Sequence, residues 1–199
     1  TSQMIKRLLL IIALWSVVYL LPTNIASMFQ YGALGPFKMS YWHILRLVSD
    51  PFLLLFSSTI QHLWFLIALI WAAIITAVFV HAARFLSLVL VATGLYIFGI
   101  LALAYVTTPI GIEFPFYTLE GPFFGTIFFV TGYALSRRTP HAGWLLPGIA
   151  LTIIGFLIHF SEVFILWKFW NVKPAVHYVF GTYLIGLGVT LIALANPRA

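Results

Sequence analysis

The apolar residues of this chain come in near-continuous runs of about 20, with polar residues gathered between them, and not in alternation with a period of two. That pattern predicts helices long enough to matter to a bilayer. Lys6-Arg7 leads into helix A, Leu8–Leu21, which Pro22 closes. Residues 23–40 read as a polar connection containing Gly and Pro. Tyr41–Ser58 is apolar but interrupted by Arg46, Asp50 and Pro51, which predicts an interfacial or re-entrant segment. Helix B is His62–Val80, closed by His81 and Arg84. Helix C is Phe85–Val106, ended by Thr107-Thr108-Pro109. A loop with Glu113 and Glu120 leads to helix D, Phe123–Ser136, bounded by Arg137 and Arg138. Helix E runs from about Trp144 to Leu166, and helix F is His177–Ala195, stopped by Asn196-Pro197.

The expected fold is an all-α, polytopic integral membrane bundle. It has about six transmembrane helices and one interfacial or re-entrant segment in a single transmembrane domain, 1–199, without internal repeats. Composition strengthens this. The chain is 63% hydrophobic and 7% charged, against about 25% charged in an ordinary soluble domain. Such a chain cannot give itself a water-facing surface, so the lipid bilayer is its first partner. Thr1 stands within a few residues of the basic lead-in, as expected for part of a longer protein. The first apolar run is too long, and lacks the small-residue cleavage site, for a secretory signal peptide.

The net charge of +6 points toward nucleic acid until its distribution is considered. With helix A starting in the cytoplasm, Lys6, Arg7, Arg84, Arg137, Arg138 and Arg198 fall inside with no acid beside them. Lys38, Arg46, Lys168 and Lys173 fall outside with Asp50, Glu113, Glu120 and Glu162. This obeys the positive-inside rule, with both termini cytoplasmic. Topology therefore accounts for the basic residues, and no nucleic-acid partner is expected.

Candidate chemistry rests on few polar groups. With no cysteine there is neither a thiol nucleophile nor a thiolate metal site. No HExxH pattern or His/Asp/Glu cluster predicts a metal, and no GxSxG elbow, P-loop or GxGxxG is present. His62 lies at the mouth of helix B, two residues before Trp64, where an imidazole can serve as general base or orient a hydroxyl. The plainer alternative is an interfacial histidine facing headgroups. His159 and Glu162 share a helix face at a spacing of three, and ionisable residues in a span are costly and often functional. His43, Arg46 and Asp50 are spaced for mutual pairing. Gly121-x-x-x-Gly125 has the small-residue spacing of close helix packing. Arg7, Arg137 and Arg138 form a candidate clamp for a phosphate-bearing ligand.

Four stretches, IKRLLLIIALWSVVYL, HLWFLIALI, FFGTIFFVTGYALSRR and HYVFGTYLIGLGVTLIALANP, together resemble the central helices of the membrane acyltransferase-3 family, in the family's order. HLWFL is the most specific of them. The resemblance implies a larger bundle of about ten helices that moves acyl groups, commonly acetyl from acetyl-CoA, onto hydroxyls of surface glycans. It also implies a place in a bacterial cytoplasmic membrane. His62 and Trp64 match the family's HLWFL positions, which makes them the catalytic-site candidates. Arg7, Arg137 and Arg138 become candidates for holding the acetyl-CoA phosphates. Helix A resembles the family's third helix, with Lys6-Arg7 in place of two spaced arginines. The family's first two helices, one of which carries its transfer histidine, and its closing pair have no counterpart in this sequence. The alternative is an inactive, truncated relative serving as accessory subunit of a larger membrane complex. A small transporter lacks the inverted repeat it would need.

Overall fold

In the computed structural model the described residues are 2–38, 41, 45, 49, 64–115, 117–173 and 178–195. All regular structure among them is helical. The first helix, α1 (Ser2–Tyr31), continues past Pro22, where the sequence predicts a stop. An interior proline costs about 3 kcal/mol or more in a soluble helix, but membrane helices tolerate it because nearby groups re-satisfy the freed carbonyl. A 3-10 turn at Gly32–Leu34 follows, and residues 35–38 are again helical, so most of the predicted polar connection is helix. The predicted interfacial segment, apart from helical residues 41, 45 and 49, lies outside the described residues, as do His43, Arg46, Asp50 and His62.

The remaining helices are α2 (Trp64–His81), α3 (Phe85–Leu101), α4 (Pro122–Ser136), α5 (Leu145–Trp170) and α6 (Phe180–Ala195), with a 3-10 turn, Ala142–Trp144, before α5. Two stretches are long and apolar enough to cross a bilayer: α2, and α5 together with its leading turn. The apolar windows of these two are only 28% and 11% buried, respectively. A core helix of a water-soluble protein would be largely covered, so these bare apolar faces point to membrane association. The helices α3, α4 and α6 are apolar but have 17, 15 and 16 residues. At 1.5 Å per residue they reach roughly 22–26 Å, against a hydrocarbon core of about 30 Å. Six spans are therefore not reached on helix length.

The shortening of α3 has a visible cause. Its apolar run continues to Val106, yet the helix stops at Leu101 because the following loop folds back and takes its last carbonyls. The Thr118 hydroxyl donates to the Gly99 carbonyl (2.9 Å), and the Ile112 N–H donates to Leu101 (3.2 Å). Hydrophobic periodicity carries no sign of this.

Between helices in lipid there is little hydrophobic driving force, so close backbone approach and hydrogen bonds must hold the bundle. One sub-bundle joins α2, α3 and α4. Leu88, Ala92, Tyr96 and Ile100 make one buried face of α3 against Phe123, Phe124, Ile127 and Val130 of α4. On α2 the buried Ala68, Ala72 and Thr76 repeat every four residues, and a Cβ on Gly125 of α4 would lie 3.5 Å from Ala68. Gly125 thus has the packing role its spacing predicts. Gly121 serves differently: it caps α4 at φ +79°, followed by Pro122 in the first turn.

The second sub-bundle is the antiparallel pair α5–α6, which meets through glycines. A Cβ on Gly155 would lie 2.7 Å from the Ile185 nitrogen, and one on Gly188 would lie 2.6 Å from the Thr152 nitrogen and 2.7 Å from the Gly148 oxygen. Gly181 sits equally close to the backbone of His159. Gly148 and Gly155 on one helix and Gly181 and Gly188 on the other form two seven-residue small stripes pressed together.

The bundle accordingly has two ends. One gathers the starts of α2, α4 and α6 with the ends of α3 and α5. The other gathers the α2–α3 turn, Arg137, Arg138, the start of α5 and the end of α6. Leu8 of α1 packs on Leu66 near the start of α2, which brings the beginning of α1 to the first of these ends.

Candidate functional site

The most connected polar group among the described residues is Glu162, on the third-last turn of α5. An α-helix begins with four backbone N–H groups that lack intrahelical partners, and at α6 each of the four finds one. The Phe180 N–H donates to Glu162 Oε1 (3.1 Å) and the Gly181 N–H to Oε2 (2.8 Å). The Thr182 N–H donates to the Val179 carbonyl (3.0 Å), and the Tyr183 N–H to the Tyr96 hydroxyl (3.1 Å). Thr182 reaches back to accept from the Val179 N–H (3.0 Å), which is half of a capping box. The other half, which a Ser or Asp at position 179 would supply in an isolated helix, comes from α5. A carboxylate there also opposes the positive end of the α6 dipole.

Two tyrosines complete the cluster, Tyr96 on α3 and Tyr105 in the loop after it. Tyr105 donates to Glu162 Oε1 (2.8 Å). Burial, and then the carboxylate beside it, push the Tyr105 phenol above its ordinary range. The Tyr96 hydroxyl donates to the Val179 carbonyl (2.9 Å), so it stands between that carbonyl and the Tyr183 N–H. Its ring is held edge-on by Phe124 and Phe128 at centroid distances of 5.7 and 6.2 Å. Tyr183 in turn shares a hydrogen bond with Thr131 of α4 (2.8 Å). The cluster therefore ties α3, α4, α5 and α6 together.

His159 and Glu162, predicted to share a face, do so but serve different partners. His159 Nδ1 lies 3.2 Å from the Thr182 hydroxyl, while Glu162 holds backbone amides and Tyr105. Every oxygen of Glu162 is engaged in architecture. The sequence alone gave no sign of Tyr96, Tyr105 or Thr182. The available signal was a threonine three residues after Val179, at the N3 position of a helix whose first residues offer no cap of their own.

The opposite end is built from other chemistry. Arg137 caps the C-terminus of α4, and its guanidinium lies 5.9 Å from the centre of the Tyr133 ring. Tyr133 meets Phe85, the first residue of α3 (6.4 Å). Phe85, Ala134, Arg137 and Arg138 line a cavity of about 300 Å³, and both arginines are exposed. Arg84 precedes α3 without a side-chain cap on that helix. One helical turn further in, a second cavity of about 360 Å³ lies between α3, α4 and α6, walled by residues such as Val89, Tyr96, Ile97, Ile127, Val130 and Tyr183.

Of the predicted site residues, Arg137 and Arg138 are together. Arg7 is exposed on α1 beside Leu8, hence near the start of α2 and not with the other two arginines. Trp64 is half-buried as the first residue of α2. It shares its end with the start of α4, so the length of α4, roughly 20 Å, separates it from Arg137. His62, which the sequence pairs with Trp64, lies outside the described residues.

Comparison of the chain with protein-family models, with curated proteins and with solved structures returns no match.

Proposed function

We propose that this chain is an integral membrane protein of the acyl-transfer type. In this reading it takes an acetyl or other acyl group from acyl-CoA and passes it to a hydroxyl of a surface glycan or related acceptor. The observation that carries the reading is the separation of its two candidate stations. Arg137 and Arg138 flank an open cavity at one end of α4, and Trp64 of the HLWFL stretch stands at the other. A cytoplasmic acyl-CoA and an outward-facing acceptor need this polarity. The guanidinium groups hold phosphates by charge-assisted hydrogen bonds. His62 and Trp64 shape the acceptor side, with an imidazole as general base and oriented donors for the tetrahedral oxyanion.

All the apolar helices, α1 to α6, share the bilayer in this proposal. The shorter ones are matched to it by the loop 102–121 and by local thinning of the membrane. The arginine end faces the cytoplasm in this reading because acyl-CoA is supplied there; the count of basic residues does not set the side, since Lys6, Arg7, Lys168 and Lys173 stand at the other end. With Leu8 against Leu66, this proposal sets the beginning of α1 and the end of α6 on opposite sides, which needs an odd number of crossings where the sequence predicts six spans and two cytoplasmic termini. A bacterial cytoplasmic membrane suits this arrangement.

The test is direct. Purified protein in lipid nanodiscs binds labelled acetyl-CoA, the Arg137→Ala/Arg138→Ala variant loses about tenfold or more in affinity, and His62→Ala or Trp64→Ala abolishes transfer while leaving binding intact. Unchanged transfer in the last two variants removes them from the site. The accessory-subunit reading is favoured by the outer face of α5, where Phe160, Phe164 and Trp167 are 65%, 57% and 49% exposed. It prevails if the protein neither binds acetyl-CoA nor transfers label.

A further inference from the structure

The two cavities of the arginine end lie in series. Phe85 and Val89 are one turn apart on α3, and Ala134 and Val130 are one turn apart on α4, so the same two helices wall both. The outer cavity is cationic. Besides Arg137 and Arg138, it borders the start of α3, whose first amides point toward this end and whose cap residue, Arg84, makes no side-chain bond to them. The C-terminal carbonyls of α4 work against an anion there, so the guanidinium groups must carry the attraction.

The inner cavity has the opposite chemistry. Its polar lining groups at the far end are already used: the Tyr96 hydroxyl serves Val179 and Tyr183, and the Tyr183 hydroxyl serves Thr131. Val89, Ala92, Ile97, Ile127, Val130 and Leu184 supply carbon, and Thr93 adds one hydroxyl to the wall. From Phe85 to Tyr96 the path follows about 16 Å of α3. At the roughly 30 Å³ a water occupies in the liquid, 360 Å³ holds on the order of ten small groups. Ile97 and Phe180 at its rim are 39% and 36% exposed, so it opens sideways toward the membrane.

We propose that this pair of cavities is a lipid site, in which a phosphate-bearing anionic lipid sets its phosphate on Arg137 and Arg138 and one acyl chain in the slot between α3, α4 and α6. The walls choose this occupant over coenzyme A. In an acyl-CoA the segment next to the phosphates is the pantetheine arm, whose hydroxyl and two amides would find only Thr93 as a free partner on these walls, and polar groups left unpaired in an apolar slot are costly. In a phospholipid a single ester, which carries no N–H to leave unpaired, separates the phosphate from a tail that is hydrocarbon throughout. The inference competes with the acyl-transfer reading for Arg137 and Arg138, and the measurements below tell the two apart.

The experiment uses the full chain, purified and delipidated in detergent, then exposed to equal phosphatidylglycerol and phosphatidylcholine. Native mass spectrometry is expected to show one retained phosphatidylglycerol, with retention falling about tenfold or more in Arg137→Ala/Arg138→Ala. A phosphatidylglycerol carrying a diazirine in its chain is expected to label α3, α4 and α6 around Ile97 and Ile127, and to lose that labelling in the same variant. Equal retention of phosphatidylcholine, retention indifferent to the arginines, or labelling spread over the outer face of α5 overturns the proposal. Labelled acetyl-CoA is measured on the same samples. Lipid retained without acetyl-CoA binding defeats the acyl-transfer reading alone, and acetyl-CoA bound without lipid retention defeats the lipid site alone.

Discussion

The two ends of the bundle differ in how far their polar groups are spent. At the Glu162 end, a carboxylate, the Tyr96 hydroxyl and a threonine satisfy the opening amides of α6, and the Tyr105 hydroxyl donates to the carboxylate. At the arginine end, two exposed guanidinium groups face a cavity with no acidic residue among the described residues beside them. The lesson is that a carboxylate set within an apolar helix need not be the reactive group. Glu162 is costly in a span, and the structure offsets that cost with three hydrogen bonds. What remains available for a ligand is at the other end.

This contrast sets expectations that mutation can break. The largest effect is expected at the α5–α6 crossing that carries Glu162. A Cβ at Gly188 must displace the backbone of Thr152 and Gly148, so Gly188→Ala is expected to cost about 1–3 kcal/mol or more, read as lowered thermal stability in detergent. Glu162→Ala leaves two helix amides and the half-buried Tyr105 phenol without an acceptor, at about 1–3 kcal/mol. Hydrogen exchange should show the first turn of α6 opening before the rest. If Glu162→Ala is as stable as the parent, the capping account fails.

The arginine end should behave in reverse. Arg137→Ala/Arg138→Ala is expected to stay within about 0.5 kcal/mol of the parent in stability, as exposed surface substitutions do, while ligand retention falls. A large loss of stability there would make both ends architectural.

A smaller effect comes from Tyr105. Its folded-state phenol titrates above the unfolded value of about 10. Its contribution is therefore fully present below pH 10 and is lost as pH rises through the folded value, because the unfolded chain releases that proton first. Tyr105→Phe should remove this part of the alkaline destabilisation, measured by unfolding at several pH values above 9. The smallest effect is expected at Thr76, whose hydroxyl is buried without a hydrogen-bond partner among the described residues. Thr76→Val should be neutral or slightly stabilising.

Much of the fold was legible in the residues. The order of helices follows the apolar runs, and the ends of α2, α4 and α5 fall within a few residues of the predicted positions because Arg84, Gly121-Pro122 and Arg137-Arg138 punctuate the chain locally. The closeness of Arg137 to Arg138 was equally legible, being a matter of adjacency. The capping cluster was not. Tyr96 and Val179 are 83 positions apart, and Tyr105 and Glu162 are 57 apart, so no window along the chain contains both partners.

The sequence by itself determined that this protein is helical and made for an apolar surrounding. Those properties follow from the run lengths of hydrophobic residues and the scarcity of charge, which hold whatever the packing. Only the tertiary structure decided where α3 and α6 end and begin, that Arg7 parts from Arg137 and Arg138, and that a cationic mouth opens onto a hydrocarbon slot. The physical reason is that unpaired amides, glycine crossings and cavities are settled between helices. A helix end is fixed by whichever group comes to meet it, and here that group arrives from another helix.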